Sequence, residues 1–329
     1  MKERVPYKSP YEKVQELTAQ LETSMKEFMN DPNGAYQQWL SVVARFHNYS
    51  FNNTVLICAQ KPDATYVAGY STWKKLGRWP VKGSHAIRIL APAPYKRKIE
   101  VEVIGADGKT KKEEKEITQS AFKVVNVFDV SDTEGKELPQ IGTQELTADM
   151  ENFDTFMKAA KRVCPVPIGF EMIESGAKGY YHLKEDRIAI QTGMGELQTA
   201  KTLIHEMIHQ KLHSLQPDQK NEGEQLTRNQ KEIVAESCAW VVLHYFGFDT
   251  SDYSFGYLAS WSKDKTAPEL RAAMERIRRA SSEMINALDT EIEKIRDEKS
   301  SVRESLKEKV KTSKNQKPRK SKEVEVQER

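Results

Sequence analysis

The chain has 329 residues, 38% hydrophobic and 30% charged, with a formal charge of +3. That length favours two domains, and the apolar share allows soluble cores while leaving long polar surfaces. The net charge is too small to mark a nucleic-acid binder by itself, so any such signal must lie in its distribution. Cys58, Cys164 and Cys238 are odd in number, widely spaced and set in apolar contexts. Buried thiols in a reducing compartment are expected, without a disulfide framework. The opening MKERVPYKSPYEK lacks the apolar core of a signal peptide, and no apolar run approaches the ~20 residues of a membrane span. A cytoplasmic protein with no membrane partner is expected.

Tyr11 to Phe28 carries Val14, Leu17, Leu21 and Met25 at helical spacing, and Asp31-Pro32-Asn33-Gly34 breaks it. Further helices are predicted from Gln37 to His47 and from Thr54 to Gln60, the latter ended by Lys61-Pro62. From Ala64 to Ile99 there is no acidic residue. This window holds Lys74, Lys75, Arg78, Lys82, Arg88, Lys96, Arg97 and Lys98, interleaved with Tyr66, Tyr70, Trp73, Trp79 and Tyr95. Short β segments bracket Lys82-Gly83, and apolar residues alternate from His85 to Leu90. Cations that neutralise phosphates, beside rings that stack on bases at ~1–3 kcal/mol each, are what single-stranded nucleic acid requires. The same residues also suit a plainer arrangement, with Trp73 and Trp79 in a core and the lysines merely solvated.

Ile104 to Ile117 is Lys/Glu-rich around Asp107-Gly108, a hairpin-turn pair, and is predicted as an exposed hairpin or loop without chemistry. Asp129 to Thr147 reads as a linker. Asp149 to Val163 is predicted helical, with Met150, Phe153, Phe156 and Met157 on one face. Ile168 to Ile173 and Tyr180 to Gln191 are predicted strands, the second folded at Lys184-Glu185-Asp186.

Residues 202–213 read TLIHEMIHQKLH. Residues four apart on a helix share a face, so His205 and His209 can grip one zinc ion. Glu206 is then placed to act as base on a metal-bound water. His213 lies on the same stripe as an orienting donor, a further ligand or a solvated helix-end residue. A second helix is predicted from Thr227 to Phe246, opened by a Thr227/Gln230 capping box and stopped at Gly247. Glu232 and Glu236 lie four apart on an apolar stripe, where unpaired carboxylates are costly. The assignment is one zinc per chain on His205, His209 and Glu232. Glu236 orients a histidine ring, although the two acids can exchange roles. Tyr180, Tyr181, His213 and His244 are the candidate oxyanion donors, and Arg187 to Gln191 the candidate exposed edge for peptide β-addition. After Trp261, Pro268 begins a long helix reaching roughly Lys309. Lys307 to Lys322 holds eight basic residues against Glu308 and is predicted disordered.

His205-Glu206-x-x-His209 followed by Glu232-x-x-Ala235-Glu236 resembles the gluzincin metallopeptidases. The segment from about Gly179 to Trp261 is similar to the peptidase domain of ArdC-type antirestriction proteins and their LtrC-like relatives. Tyr180-Tyr181, Arg187-Ile188-Ala189-Ile190, His213 and Tyr257-Leu258-Ala259-Ser260-Trp261 also match. Gln210-Lys211 departs from the apolar residue many zincins carry there. Upstream, Asn48-Tyr49-Ser50-Phe51-Asn52-Asn53, Trp73-Lys74-x-x-Gly77-Arg78, Val81-Lys82-Gly83 and Ala86-Ile87-Arg88-Ile89 resemble the ArdC N-terminal domain, closed by Phe122 to Asp129.

The resemblance implies an α+β fold in two domains. Residues 1–130 would bind single-stranded DNA, 131–147 link and 148–265 form a zincin-like peptidase domain, while beyond the resemblance the residue pattern itself gives 266–306 as a long helix and 307–329 as a disordered basic tail. Together with the basic and aromatic stretch, the resemblance places the expected DNA contacts at Asn52, Asn53, Tyr70, Trp73, Lys74, Lys75, Arg78, Trp79, Lys82 and Arg88. The expected function is protection of incoming mobile-element DNA from restriction during conjugation, with zinc-dependent cleavage of an unknown protein or peptide substrate. The alternatives are a DNA shield whose zinc site is not proteolytic, and a regulatory metalloprotease that cleaves a repressor.

Overall fold

The computed structural model describes residues 8–31, 34–104, 110–138, 150–214, 227–250 and 266–315. Helix α1 (Pro10–Asn30) opens on a capping box between Ser9 and Glu12. Its stripe of Leu17, Leu21, Met25 and Phe28 is buried, and α1 packs on α2 (Ala35–Arg45) and α3 (Phe51–Gln60). Helix α3 starts earlier than expected because Ser50 caps it, its hydroxyl accepting from the Asn53 N–H.

Beside these helices lies an antiparallel sheet of β1 (Val67–Gly69), β6 (Phe122–Asp129) and β3 (Ile87–Pro92), in the order β1-β6-β3. Strand β3 is an edge, and α3 completes it. Asn53 donates to the Leu90 carbonyl and accepts from the Leu90 N–H, both at 2.9 Å. Gln60 makes the same pair of bonds to Arg88 at 2.8 and 2.9 Å. Two amides on one helix thus satisfy edge groups that would otherwise lack partners.

The short helix α4 (Tyr70–Lys75) leads into β2 (Arg78–Pro80), which pairs with β7 (Thr133–Gly135). Residues 133–135, expected within the linker, therefore belong to the first half. At Gly135, where φ is +130, a Cβ would lie 2.3 Å from the Gly77 carbonyl oxygen, so the crossing is open only to glycine. Strands β4 (Tyr95–Ile104) and β5 (Thr110–Gln119) form an antiparallel ribbon laced by the exposed ion pairs Lys96–Glu116, Lys98–Glu114 and Lys112–Glu100.

The second half begins with α5 (Met150–Val163) and a mixed sheet in the order β8-β10-β9. Strand β10 (Arg187–Gln191) runs parallel to β8 (Ile168–Glu171) and antiparallel to β9 (Gly179–His182). This corrects the reading of Arg187 to Gln191 as an exposed edge: β10 is the central strand. Ile188, Ala189 and Ile190 are all fully buried, as befits consecutive apolar residues flanked by pairing on both sides. The edge that packs on α6 (Glu196–Ser214) is β9.

Helix α7 (Arg228–Tyr245) has its Thr227/Gln230 capping box and ends before Gly247, which adopts φ +76. It lies between α2, α6 and α8 (Ala267–Asn315), which explains why its apolar residues fall on nearly all sides. Helix α8 extends beyond the expected end. Residues 307–315 are helical because the Lys- and Glu-rich sequence contains no Gly or Pro before Pro318. Residues 316–329 lie outside the described residues, as does the 257–261 motif.

The halves share one continuous apolar cluster. The Tyr36 and Ser237 hydroxyls meet at 2.9 Å inside it. Among the described residues, no helix is long and apolar enough to cross a membrane.

Candidate metal centre and nucleic-acid face

Leu203, Ile204, Met207 and Ile208 bury one side of α6 and turn His205 and His209 toward α7. His205 Nε2 and His209 Nε2 are 3.0 Å apart. Glu232 Oε2 lies 3.4 Å from each. These three are the one His/Cys/Asp/Glu group among the described residues with ligand atoms close enough to share an ion. A tetrahedral metal with bonds of about 2.0–2.1 Å has edges of about 3.3 Å between ligand atoms. The triangle matches that dimension, and two imidazoles with one carboxylate suit zinc and similar divalent ions.

Glu236 stands one turn farther along α7. Its Oε2 lies 3.3 Å from His205 Nδ1, and its Oε1 is 2.7 Å from Lys201 Nζ. The geometry thus separates the two acids: Glu232 faces both Nε2 atoms, and Glu236 holds the other side of the His205 ring. The backbone at His213 continues α6, while its side chain lies outside the described residues.

Burial opposes a proton on His205, but the bonds to Glu232 and Glu236 outweigh it and push the ring up to about 9. A cation entering the triangle must displace that proton. Glu232 is held well below the carboxylate range by its bonds from His205 and His209. Glu206 is raised instead, chiefly by burial and further by the charge of Glu232, while the Tyr181 backbone N–H bonds its carboxylate. Gly179 permits this approach of β9 to α6, since a Cβ there would lie 2.6 Å from Thr202 Cγ2.

His205, Asn229, Glu232 and Glu236 line an open cleft of ≈ 300 Å³. Asn229 was not among the expected residues; the signal was its place three residues before Glu232 on the same helix. Of the expected oxyanion donors, the Tyr180 hydroxyl donates to Glu171 at 2.6 Å and that of Tyr181 to Asp186 at 2.7 Å. His244 lies between Ser41 and Thr250 and stacks on Trp240. These three groups are committed elsewhere.

In the first half, the expected DNA contacts divide. Tyr70 and Trp79 are 58% and 48% exposed, and Lys74, Lys75 and Lys82 are exposed beside them in sequence. Arg88 is half-buried, its guanidinium 3.7 Å from Glu16. Trp73 corrects the expectation: it is 0% exposed, donates to the Phe128 carbonyl at 3.0 Å and meets the Tyr66 ring edge-on. Its indole presents no face to a base. Asn53 is likewise corrected, since both ends of its amide are committed to Leu90. Arg78 donates to the Thr133 and Lys136 carbonyls, and Asn52 accepts from Arg271 at 2.6 Å.

The fold and site define an α+β protein with a His-His-Glu triangle dimensioned for a divalent cation. Residues 8–128 match the family model of the N-terminal domain of anti-restriction factor ArdC, so this portion of the chain is ArdC-like. An uncharacterized Bacillus anthracis protein, pXO2-81, is 25% identical over 339 aligned positions, covering 91% of this chain. The chain spans 55% of that relative's length. Two crystal structures of the antirestriction ArdC protein from the R388 plasmid are also similar. The metal-free one is 20% identical, with TM-score 0.44, covering 75% of this chain and 86% of its own. The Mn(II)-bound one is 18% identical, with TM-score 0.49, covering 84% and 97%.

Proposed function

We propose that this chain is an antirestriction protein that holds single-stranded DNA on its first half and carries a divalent-metal peptidase site in its second. The observation that carries the second part is the His205, His209 and Glu232 triangle, whose sides match a tetrahedral coordination edge. The family match of residues 8–128 supports the first part, together with the acid-free stretch that exposes Tyr70, Trp79, Lys74, Lys75 and Lys82.

Zinc or a similar ion on His205, His209 and Glu232 would supply Lewis acidity, polarising a peptide carbonyl and acidifying water. The chain's own part is proton handling. Glu206, with its affinity for a proton raised by burial, accepts one from the attacking water and returns it to the leaving amine. The Tyr181 N–H fixes the carboxylate for both transfers. With β10 central, β9 is the sheet edge that packs on α6, and we assign extended-peptide pairing to it.

Glu206→Gln tests this reading: metal content stays at the wild-type level and cleavage of a casein-type substrate disappears. Undiminished cleavage would remove Glu206 from the role of base. A shield whose metal site is not proteolytic is the second reading, favoured by the commitment of the Tyr180 and Tyr181 hydroxyls and of His244 to partners away from the triangle. It requires His205→Ala to protect transferred DNA from restriction as well as the wild type.

A further inference from the structure

Lys201, one turn before His205 on α6, belongs to none of the roles above. Its Nζ is 2.7 Å from Glu236 Oε1, while the opposite oxygen of that carboxylate is 3.3 Å from His205 Nδ1. Lys201 and Glu236 are largely buried, with side chains 27% and 20% exposed, so their pairing is screened less than a surface contact. We propose that Lys201 is a positioning residue for the cation site, clamping Glu236 onto the outer nitrogen of His205 and so reserving the open side of the triangle for Glu232 alone. The inference rests on the metal reading of His205, His209 and Glu232.

The physical reason lies in the choice between two equivalent acids. Glu232 and Glu236 are four residues apart on α7, lie on the same face and line the same cleft. A carboxylate bound only by an imidazole N–H can turn its other oxygen toward a cation a few ångströms away. The ammonium occupies that other oxygen. It also brings one positive charge against the two negative charges of Glu232 and Glu236. Metal charge is then balanced by one ligated carboxylate rather than two, and the metal remains a strong electrophile. The His205 ring, its Nδ1 held by Glu236, offers Nε2.

The test uses the full chain and Co²⁺ alone as probe, reading affinity by titration and coordination by the visible d–d spectrum. Lys201→Met is expected to tighten Co²⁺ binding by about tenfold and to change the spectrum, because a positive charge beside the site is lost and Glu236 is released to ligate the ion. Lys201→Arg, which keeps the cation, is expected to restore both. Lys201→Gln provides the same neutral change should the Met variant misfold, and thermal melting of the metal-free proteins checks that each variant is folded. Wild-type affinity and spectrum in the neutral variants overturn the proposal, as does failure of Arg to restore them. In parallel, His209→Ala must lose Co²⁺. If it binds as tightly as the wild type, the metal reading itself is overturned and this inference goes with it. Loss in His209→Ala with no change at Lys201 overturns the clamp alone.

Discussion

His205, His209 and Glu232 in one half, and Asn53, Trp73 and Arg78 in the other, stand out for the same reason: chemically apt residue types at suggestive spacings. The first set converges to within 3.4 Å. The second set is spent on the fold, as an edge clamp, a core ring and a cross-strand tie. The difference lies in what fixes each arrangement. An i, i+4 pair on a helix shares a face wherever that helix goes. A nucleic-acid surface depends on which side of each element stays in water, and that is set by distant packing partners. A ring beside lysines in sequence is therefore a weaker sign than two histidines one turn apart.

The largest expected effect sharpens that contrast at the metal. His209→Ala should reduce Zn²⁺ affinity by more than the about 10–100-fold typical of losing an outer partner, measured by competition with a chromophoric chelator. Retained affinity would leave neither half with a converged site.

Next come the two tryptophans. Trp73→Ala should lower unfolding free energy by about 3–5 kcal/mol, read by denaturant titration. Trp79→Ala should leave that value near wild type and weaken binding of a labelled single strand by about 1–3 kcal/mol. The opposite pattern would return Trp73 to the binding face.

The paired asparagines give a smaller contrast. Asn53→Ala leaves the Leu90 N–H and carbonyl unpaired and should destabilise by about 2 kcal/mol. Asn52→Ala should stay within about 0.5 kcal/mol, as a thermal melt would show.

The smallest effect is a pH dependence at Asp129. Burial acts to raise its carboxyl, but bonds from Ser131, Thr65 and Tyr66 win and hold it below the usual value. A depressed folded-state pKa means that its stabilisation is present above the ordinary Asp value and fades as pH falls through the lower folded one. Asp129→Asn should flatten that part of the acid limb of a stability profile; an unchanged limb would remove Asp129 from the account.

Sequence by itself determined the existence of the longer helices, the α7 cap and stop, the apolar side of α6 and the grouping of His205, His209, Glu232 and Glu236, because each follows from spacing along one chain segment. Tertiary structure closed the exchange of roles that the sequence left open beside its assignment of Glu232, and it alone decided that β10 is central and β9 the edge, and that Trp73 and Asn53 are structural. Those outcomes depend on how α7 is rotated against α6, how strands are ordered and which surfaces meet. They are set by contacts between segments far apart in the chain, where local periodicity carries no information.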